Sequence, residues 1–383
     1  MEIRALTVDD LDAVLDARTR AFGYVPERDR ASWLAFARTA VDAGRQLGGF
    51  EGDRLVATAR VLAFGQWWHG REVSMGGVSG VTVAPEDRGR GAGREIVTAI
   101  LHLAAERGDV VSALYPATTR IYRSLGWEHA GAQHRITLPA EALRTLSAEP
   151  VPVRRVGPDD AEEIVRVLRD VYQGALDHGP VDAGAASWRL KLADERIYCY
   201  LAEDGFLSYR WSADGASLDV DRVVAGSERT SRALWAIVGS GSSVVETVSA
   251  YVDPYDPVLW SLAERYSDRF QRNQWMLRVV DAPAAFERRG YPAGVSAEVP
   301  LHVVDAQLPA NSGSWRLVIK DGRGALERAG DDPAAVRMGI QGLSALYAGV
   351  RVAALRRSGM ISGGDQALLG AAFEAAPFMH DYF

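Results

Sequence analysis

Apolar and polar positions divide this chain into short segments whose period switches between two and 3.6 residues. Ile3–Leu6 reads as a strand. Thr7-Val8-Asp9-Asp10 then supplies helix-capping chemistry, with Leu11, Val14, Leu15 and Arg18 following at helical spacing. Trp33, Leu34, Ala37 and Val41 mark one face of a second helix over Ala31–Val41. Strands follow at Leu47–Glu51 and Arg54–Phe64, parted by the turn pair Gly52-Asp53, and at Arg71–Val83. Beyond Pro85 and a Gly/Arg-rich loop, the pattern predicts a helix (Arg94–Glu106), a strand (Val110–Tyr115), a short helix (Thr119–Leu125) and a strand (Ala132–Leu138). Antiparallel strands, a loop-to-helix turn and a late βαβ crossover make a mixed α/β (α+β) layer fold.

Pro139–Pro152 reads as a connector, after which the pattern restarts. Val153–Val156 is a strand, and Gly157-Pro158-Asp159-Asp160 caps a helix containing Ile164, Val165 and Leu168. Ser217–Ala225 and Thr230–Val238 repeat the strand–loop–helix order of Ser79–Leu101, with Gly226-Ser227-Glu228-Arg229 in place of the first Arg/Gly cluster. Either the chain holds a duplicated unit whose second copy lacks the cluster, or two α/β segments share a common order. A third unit opens near Asp281-Ala282-Pro283. It has strands at Val299–Val304 and Ser314–Lys320 and helices at Pro333–Tyr347, Val352–Ser358 and Asp365–Ala375. Its tail, Phe378-Met379-His380-Asp381-Tyr382-Phe383, is too aromatic for an ordinary solvated terminus. The predicted units are 1–150, 151–281 and 282–383.

At 383 residues the chain has room for such units at about 150 residues per domain. No apolar run reaches the roughly 18–20 residues of a membrane span, and the first residues lack the layout of a signal peptide. Cys199 is the single cysteine, so no intramolecular disulfide can form. A soluble, cytoplasmic protein without membrane contact is expected. A net charge of −7 speaks against nucleic acid as a partner and is compatible with a cationic substrate. No metal site is expected.

The most informative stretch is Val81-Thr82-Val83-Ala84-Pro85-Glu86-Asp87-Arg88-Gly89-Arg90-Gly91-Ala92-Gly93-Arg94. A strand ends and a helix begins there, leaving backbone N–H groups free at the positive end of the helix dipole. Gly89, Gly91 and Gly93 permit close approach, and Arg88, Arg90 and Arg94 add charge. The loop is a nest for a pyrophosphate, or an ordinary Gly-rich turn. Main-chain atoms of Val81 and Val83 can pair with an extended, amide-bearing ligand as an added strand does. A P-loop would need Gly-Lys-Ser/Thr where Gly93-Arg94-Glu95 stands, and a dinucleotide fingerprint would need Gly at position 94.

Arg88-Gly89-Arg90-Gly91-Ala92-Gly93, preceded by Val-x-Val-x-Pro, resembles the Arg/Gln-x-x-Gly-x-Gly/Ala signature of the GCN5-related N-acetyltransferase (GNAT) superfamily. The resemblance implies that Arg88–Arg94 hold the pyrophosphate of acetyl-coenzyme A through their N–H groups. The Val81-Thr82-Val83 backbone would hold its pantetheine arm through Val81 and Val83. The whole chain is similar to one branch, the enhanced intracellular survival acetyltransferases. Their order is an intact acetyltransferase unit, a degenerate one and a sterol-carrier-like unit. The run Asp281–Tyr291 and the end Asp381-Tyr382-Phe383 match that branch.

The same resemblance implies that Tyr122, in Ile121-Tyr122-Arg123-Ser124-Leu125-Gly126-Trp127, is the general acid for the coenzyme A sulfur. A phenol of pKa about 10 is protonated at neutral pH. The chain's terminal carboxylate, on Phe383, would be the general base, taking the proton of the tetrahedral adduct directly or through water. Acceptors would be aminoglycoside-like amines, polyamines or protein lysines. A polyamine would need a wide, acidic and aromatic pocket. Phe22, Glu27, Asp29 and Trp33 are candidates for it by position, and Asp381 by closeness to the tail. Gly80 stands where the branch usually carries a bulkier residue. A homo-oligomer, a hexamer in that branch, is expected. Other readings are a narrow-range small-amine enzyme and a binder of lipid or apolar cargo in the third unit. Trp315, Leu317, Val318 and Leu346 can line such a cavity or fill an ordinary core.

Overall fold

A computed structural model of the chain describes residues 1–146, 148–264 and 270–383. The first third runs β1 (Glu2–Ala5), α1 (Leu11–Phe22), α2 (Glu27–Asp42), β2 (Gln46–Glu51), β3 (Arg54–Trp68), β4 (Arg71–Val83), α3 (Ala92–Glu106), β5 (Val111–Leu114), α4 (Thr119–Ser124), β6 (Glu128–Pro139) and α5 (Ala140–Arg144). The middle third runs β7 (Arg154–Arg155), α6 (Ala161–Ala175), β8 (His178–Asp182), α7 (Gly184–Leu192), β9 (Ile197–Ala202), β10 (Gly205–Trp211), β11 (Ser217–Ala225), α8 (Glu228–Gly239), β12 (Thr247–Val252), α9 (Val258–Ser261) and β13 (Gln271–Val279). The last third runs α10 (Ala282–Arg288), β14 (Ala297–Val304), β15 (Gly313–Lys320), β16 (Arg323–Arg328), β17 (Val336–Gly339), α11 (Ile340–Tyr347), α12 (Val352–Arg357), β18 (Ile361–Ser362) and α13 (Ala367–Phe373). Among the described residues no helix is long and apolar enough to cross a membrane.

The first two thirds open alike in atomic detail. Arg4 bridges Asp10 at 2.9 Å and Arg154 bridges Asp160 at 2.7 Å. Each aspartate also accepts the backbone N–H three residues before it, Thr7 or Gly157, at 2.8 Å. Each carboxylate thereby closes the entry to α1 or α6 as the third residue of a capping box. Two unrelated α/β segments would not be expected to share an arginine, an aspartate and a capped amide at one spacing.

Their strands merge into one sheet, in the order β1-β2-β3-β4-β5-β13-β6-β12-β11-β10-β9-β7, with β8 added beside β3. β13 lies between β5 and β6, while β6 lies between β13 and β12. Each half thus holds a strand of the other, and the sequence connector near 150 is no boundary within the sheet. The last third forms a five-stranded sheet, β16-β15-β14-β17-β18. Its core is continuous with Trp68, Met75, Val111, Trp275 and Leu277 of the large sheet. Arg278 of β13 and Asp305 beyond β14 form a fully buried pair with both contacts at 2.8 Å. Arg278 also donates to Leu125 O at 3.0 Å, gripping the turn after α4.

Two expected elements come out differently. Pro333–Tyr347 is not one helix: Val336 and Met338 are buried around exposed Arg337, and β17 pairs in parallel with β14 before α11 starts at Ile340. That alternation has a period of two, which the longer helical window concealed. Pro139–Pro152 is only partly a connector, because α5 buries Ala140, Ala142 and Leu143; Ser147 lies outside the described residues. Trp315, Leu317 and Leu346 are buried in the core of the last third and Val318 is half-buried. Arg289 sits inside that core, stacked within 5.5 Å of Trp68, Tyr291, Tyr347 and Phe373.

Candidate active site

β4 and β5 pair in parallel only through Met75–Gly77 and Val111–Ala113. β4 then runs on to Val83 with no strand on its β5 side among the described residues, so a cleft opens between the two. The antiparallel pairing with β3 is interrupted here: Arg60 opposes Ser79 and Thr58 opposes Thr82, leaving Gly80 and Val81 against Ala59 alone. Gly80 takes φ +60°, the left-handed backbone such a bulge requires and that a side chain would strain. The main chain of Val81–Val83 therefore borders an open cleft, where an extended ligand can add as a strand.

The loop after β4 enters α3 through Gly91, whose φ of +94° makes it a left-handed N-cap without a side chain. Among the described residues, the N–H groups of Gly89, Arg90, Gly91, Ala92 and Gly93 have no hydrogen-bond acceptor. Five consecutive free donors at the positive end of a 15-residue helix form an anion cradle. Gly93 lies against Val83 and Ile121, where a Cβ would come within 3.5 Å of both side chains. The arginines divide. Arg88 is exposed and makes no ion pair among the described residues, and Arg94 donates to Ser124 Oγ at 2.6 Å. Arg90 departs from expectation: its guanidinium pairs with Asp87 (2.8 Å) and Glu51 (2.9 Å), so only its backbone faces the cradle. Asp87 also anchors Arg54 at 2.5 Å, which makes this ion-pair network the floor of the loop.

Tyr122 lies on α4, in the core with Ile96, Leu125 and Trp127, its ring edge-on to Trp127 at 6.2 Å. Among the described residues its hydroxyl has no partner, yet it is not one of the fully buried polar atoms, so the oxygen keeps an opening to solvent. Burial pushes the phenol up to about 12, leaving it protonated throughout the physiological range.

The tail arrives at the cleft's vertex. Phe383 packs on Phe64 (5.0 Å between rings) and Tyr115 (5.7 Å), and a Cβ at Gly77 would touch its ring at 3.0 Å. Tyr115 Oη donates to Asp381 O at 2.8 Å, and Gln133 Nε2 to His380 O at 2.7 Å. Phe378 bridges to Ala132 beside them. Arg222 of β11, fully buried and 5.2 Å over the Trp188 ring, forms an ion pair with Asp381. Burial would raise the Asp381 carboxyl, but Arg222, Lys191 and His380 outweigh it and hold the group below its usual value.

Beside the tail lies a cavity of about 480 Å³ whose wall includes Ala31, Ser32, Ala35, Phe36, Phe64 and Leu190. Of the residues expected there, only Asp381 lines it. Trp33 faces the other way, packed against the core of Leu6, Leu11 and Val14, because α2 presents 32, 35 and 36 to the cavity and 33, 37 and 41 to the sheet side. Phe22 is 54% exposed at the end of α1, Glu27 is exposed, and Asp29 pairs with Arg196 at 3.2 Å. The cavity is lined by Phe36, Phe64, Tyr382 and Phe383, with Asp381 its one acidic residue. Sequence reasoning missed Tyr115, Gln133 and Arg222. Tyr115 stands beside Pro116 at a strand end, a weak signal, while Arg222 has none, since its partner lies 159 residues away.

Residues 2–130 and 179–279 each match an acetyltransferase (GNAT) domain model, and residues 282–380 match a sterol carrier protein domain. The crystal structure of a GCN5-related N-acetyltransferase from Kribbella flavida superposes with a TM-score of 0.96 at 43% identity, over 100% of this chain and 98% of that one. The N-acetyltransferase Eis of Mycobacterium bovis is 29% identical over 317 residues, 76% of this chain and 75% of its own. Eis1 from Mycobacterium abscessus shares the fold, with a TM-score of 0.78 at 22% identity over 100% of both chains.

Proposed function

The chain belongs to the GCN5-related N-acetyltransferase family, and from that premise we propose that it acetylates amines in the β4–β5 cleft, with Tyr122 as acid and the Phe383 carboxylate as base. Members of this family use acetyl-coenzyme A. The observation that carries the reading is the run of five free N–H groups from Gly89 to Gly93 at the mouth of that cleft. In this reading those groups, with the Arg88 and Arg94 side chains, hold the pyrophosphate, and the Val81–Val83 backbone holds the pantetheine arm. Thr82 contributes main chain only, its side chain being buried. Bound acetyl-coenzyme A supplies an acetyl group activated as a thioester.

Tyr122 Oη holds the proton that the departing sulfur needs. Burial raises the basicity of a thiolate as it raises that of a phenol, so the two stay matched in the closed cleft. In this reading the Phe383 carboxylate takes the amine's proton; what supports it is that the Phe383 ring is held at the cleft by Phe64 and Tyr115. Three units, 1–150, 151–281 and 282–383, divide the work: the first binds the donor, the second braces the tail and the third delivers it. Aminoglycoside-like amines, polyamines and lysine define the first acceptor panel, by the likeness to Eis-type relatives. Homohexamer assembly is proposed on the same likeness.

The test is acetyl-coenzyme A-dependent thiol release with that panel. Tyr122→Phe keeps the ring against Trp127 and should lower turnover by about 10²–10⁴-fold with coenzyme A affinity unchanged. Removing Phe383 should do the same. Wild-type rates in either variant would overturn the role assigned to that residue.

A further inference from the structure

The cavity beside the tail says more about the acceptor than the cleft does. Its volume of about 480 Å³ suits a small molecule. Phe36, Phe64, Val181, Leu190, Tyr382 and Phe383 make its wall largely apolar, and Lys191 and Asp381 are the charged residues in it. Neither offers a free negative charge. Asp381 is paired with buried Arg222. Lys191 reaches toward Asp221 at 4.0 Å, but that carboxylate is already bound by Arg210 at 2.6 Å. Behind Phe36 stands a further cation, Arg60, stacked on its ring at 4.7 Å with no carboxylate in ion-pair range among the described residues. Burial and nearby Arg18 pull that guanidinium down to about 10, which leaves it charged at neutral pH.

Among the side chains lining this cavity an amine meets no unpaired anion, and on the assignment above its one partner is the terminal carboxylate of Phe383. A second or third ammonium on the same molecule would be desolvated against aromatic rings beside Lys191 and Arg60, with no carboxylate to pair with, which is strongly unfavourable. An aryl or branched-alkyl body gains from the same wall. We propose that the acceptor is a monoamine with an apolar body, a single ammonium on an aryl or branched-alkyl frame, and that polycationic amines are poor acceptors. The proposal rests on the assignment of Phe383 and the cleft above and narrows its acceptor class.

The experiment compares kcat/KM for 2-phenylethylamine, spermidine and a tetra-amino aminoglycoside by thiol release from acetyl-coenzyme A, with coenzyme A binding measured in parallel. 2-Phenylethylamine should exceed both polycations at least tenfold. Leu190→Glu places a carboxylate on the cavity wall at a position 48% exposed, so folding should be kept. That variant should narrow the ratio at least fivefold, by improving spermidine. Equal or better turnover of either polycation by the unmodified protein would overturn the proposal and leave amine acetylation standing. Refusal of every amine with coenzyme A still bound would overturn it together with amine transfer. Loss of coenzyme A binding itself would bring down the cleft reading.

Discussion

The two strand–loop–helix passages of this chain, β4 into α3 and β11 into α8, begin from one architecture and end with opposite chemistry. Both strands carry a bulge against their antiparallel neighbour, at Gly80–Val81 and at Asp221. In the first passage the helix opens on a bare left-handed glycine and five N–H groups stay free. In the second, Ser227 caps the helix with its own hydroxyl, accepting from Thr230 N at 3.3 Å. Thr230 Oγ1 in turn donates to Asp204, whose backbone oxygen accepts Gly226 N at 2.7 Å. The second loop satisfies Gly226 N and Thr230 N within itself, and among the described residues only Ser227, Glu228 and Arg229 keep N–H groups without an acceptor, a shorter run than the first loop's five and one with no glycine in it. What the second copy contributes is a cation: Arg222, three residues before the end of β11, holds Asp381 in the tail whose last ring, Phe383, packs on Phe64 and Tyr115 of the first copy. Loss of a ligand site and gain of a bracing role are two sides of one divergence.

Removing the brace gives the largest effect that bears on this contrast. Arg222→Met leaves Asp381 facing Trp188 without its partner. Breaking a buried pair costs about 3–5 kcal/mol, and Asp381, 29% exposed at its side chain, should recover part of that through water. The tail then moves, and a displacement of about 1 Å is enough to cost on the order of 100-fold in rate. Turnover should fall at least tenfold with coenzyme A affinity unchanged, because the Gly89–Gly93 loop is remote from Arg222 in the sheet order. Arg222→Met combined with Asp381→Asn removes the unpaired charge and should recover stability but not turnover. Unchanged turnover in the single variant would mean that the second copy is only scaffold.

Acid should loosen the same tail. Burial, reinforced by Arg222 and Lys191, lowers His380 to about 3, and among the described residues both its ring nitrogens are buried without partners. An unfolded histidine titrates near 6.5, so the unfolded state takes the proton first. The stability His380 gives is complete above that pH and drains as pH falls toward 3, by about 1.4 kcal/mol per unit. Asp177 and Asp256, raised by burial to about 7, work in the opposite direction and gain stability as pH falls. The His380 share is therefore a difference: between pH 7.5 and 5.5, His380→Leu should lose about 1.4 kcal/mol less than the unmodified protein in urea unfolding. Equal losses would place His380 in contact with water.

Breaking the first loop tests the other side of the contrast. A Cβ at Gly91 meets nothing nearer than Glu95 Oε1 at 3.9 Å, so Gly91→Val acts through backbone conformation alone. A β-branched residue is held poorly at φ +94°. The turn should rotate and coenzyme A affinity fall about tenfold, for roughly 1.4 kcal/mol of misdirected donors. Calorimetric titration of coenzyme A showing an unaltered affinity would mean that the loop does not grip the donor.

Much of this was legible in the sequence where the information is local. Arg71–Val83 and Ser217–Ala225 come out as drawn, because each is a strand closed by Pro85 or by Gly226-Ser227. The free-donor loop was legible too, since glycine spacing and helix onset are written side by side. What failed is non-local. The interleaving of β13 between β5 and β6 depends on pairing residues more than 130 apart, and no periodicity reports it. The surroundings of Asp381 and Trp33 were illegible for the same reason: Asp381 reads as free charge until Arg222 is known to pair with it, and Trp33 reads as a pocket aromatic until α2 is seen to pack it against Leu11 and Val14.

The smallest expected effect is also the sharpest discriminator, because it asks the second loop to behave as an ordinary cap. Ser227→Ala removes the hydroxyl that serves Thr230 N and Thr230 Oγ1. Loss of a serine N-cap costs about 1 kcal/mol. The variant should melt a few degrees lower with turnover and coenzyme A affinity unchanged. Such a result would separate the loops cleanly, one tuned for a ligand and the other for its own helix. A fall in coenzyme A affinity from this change would mean that the second loop still shares the donor with the first, and that the divergence drawn from Asp204 and Ser227 is incomplete.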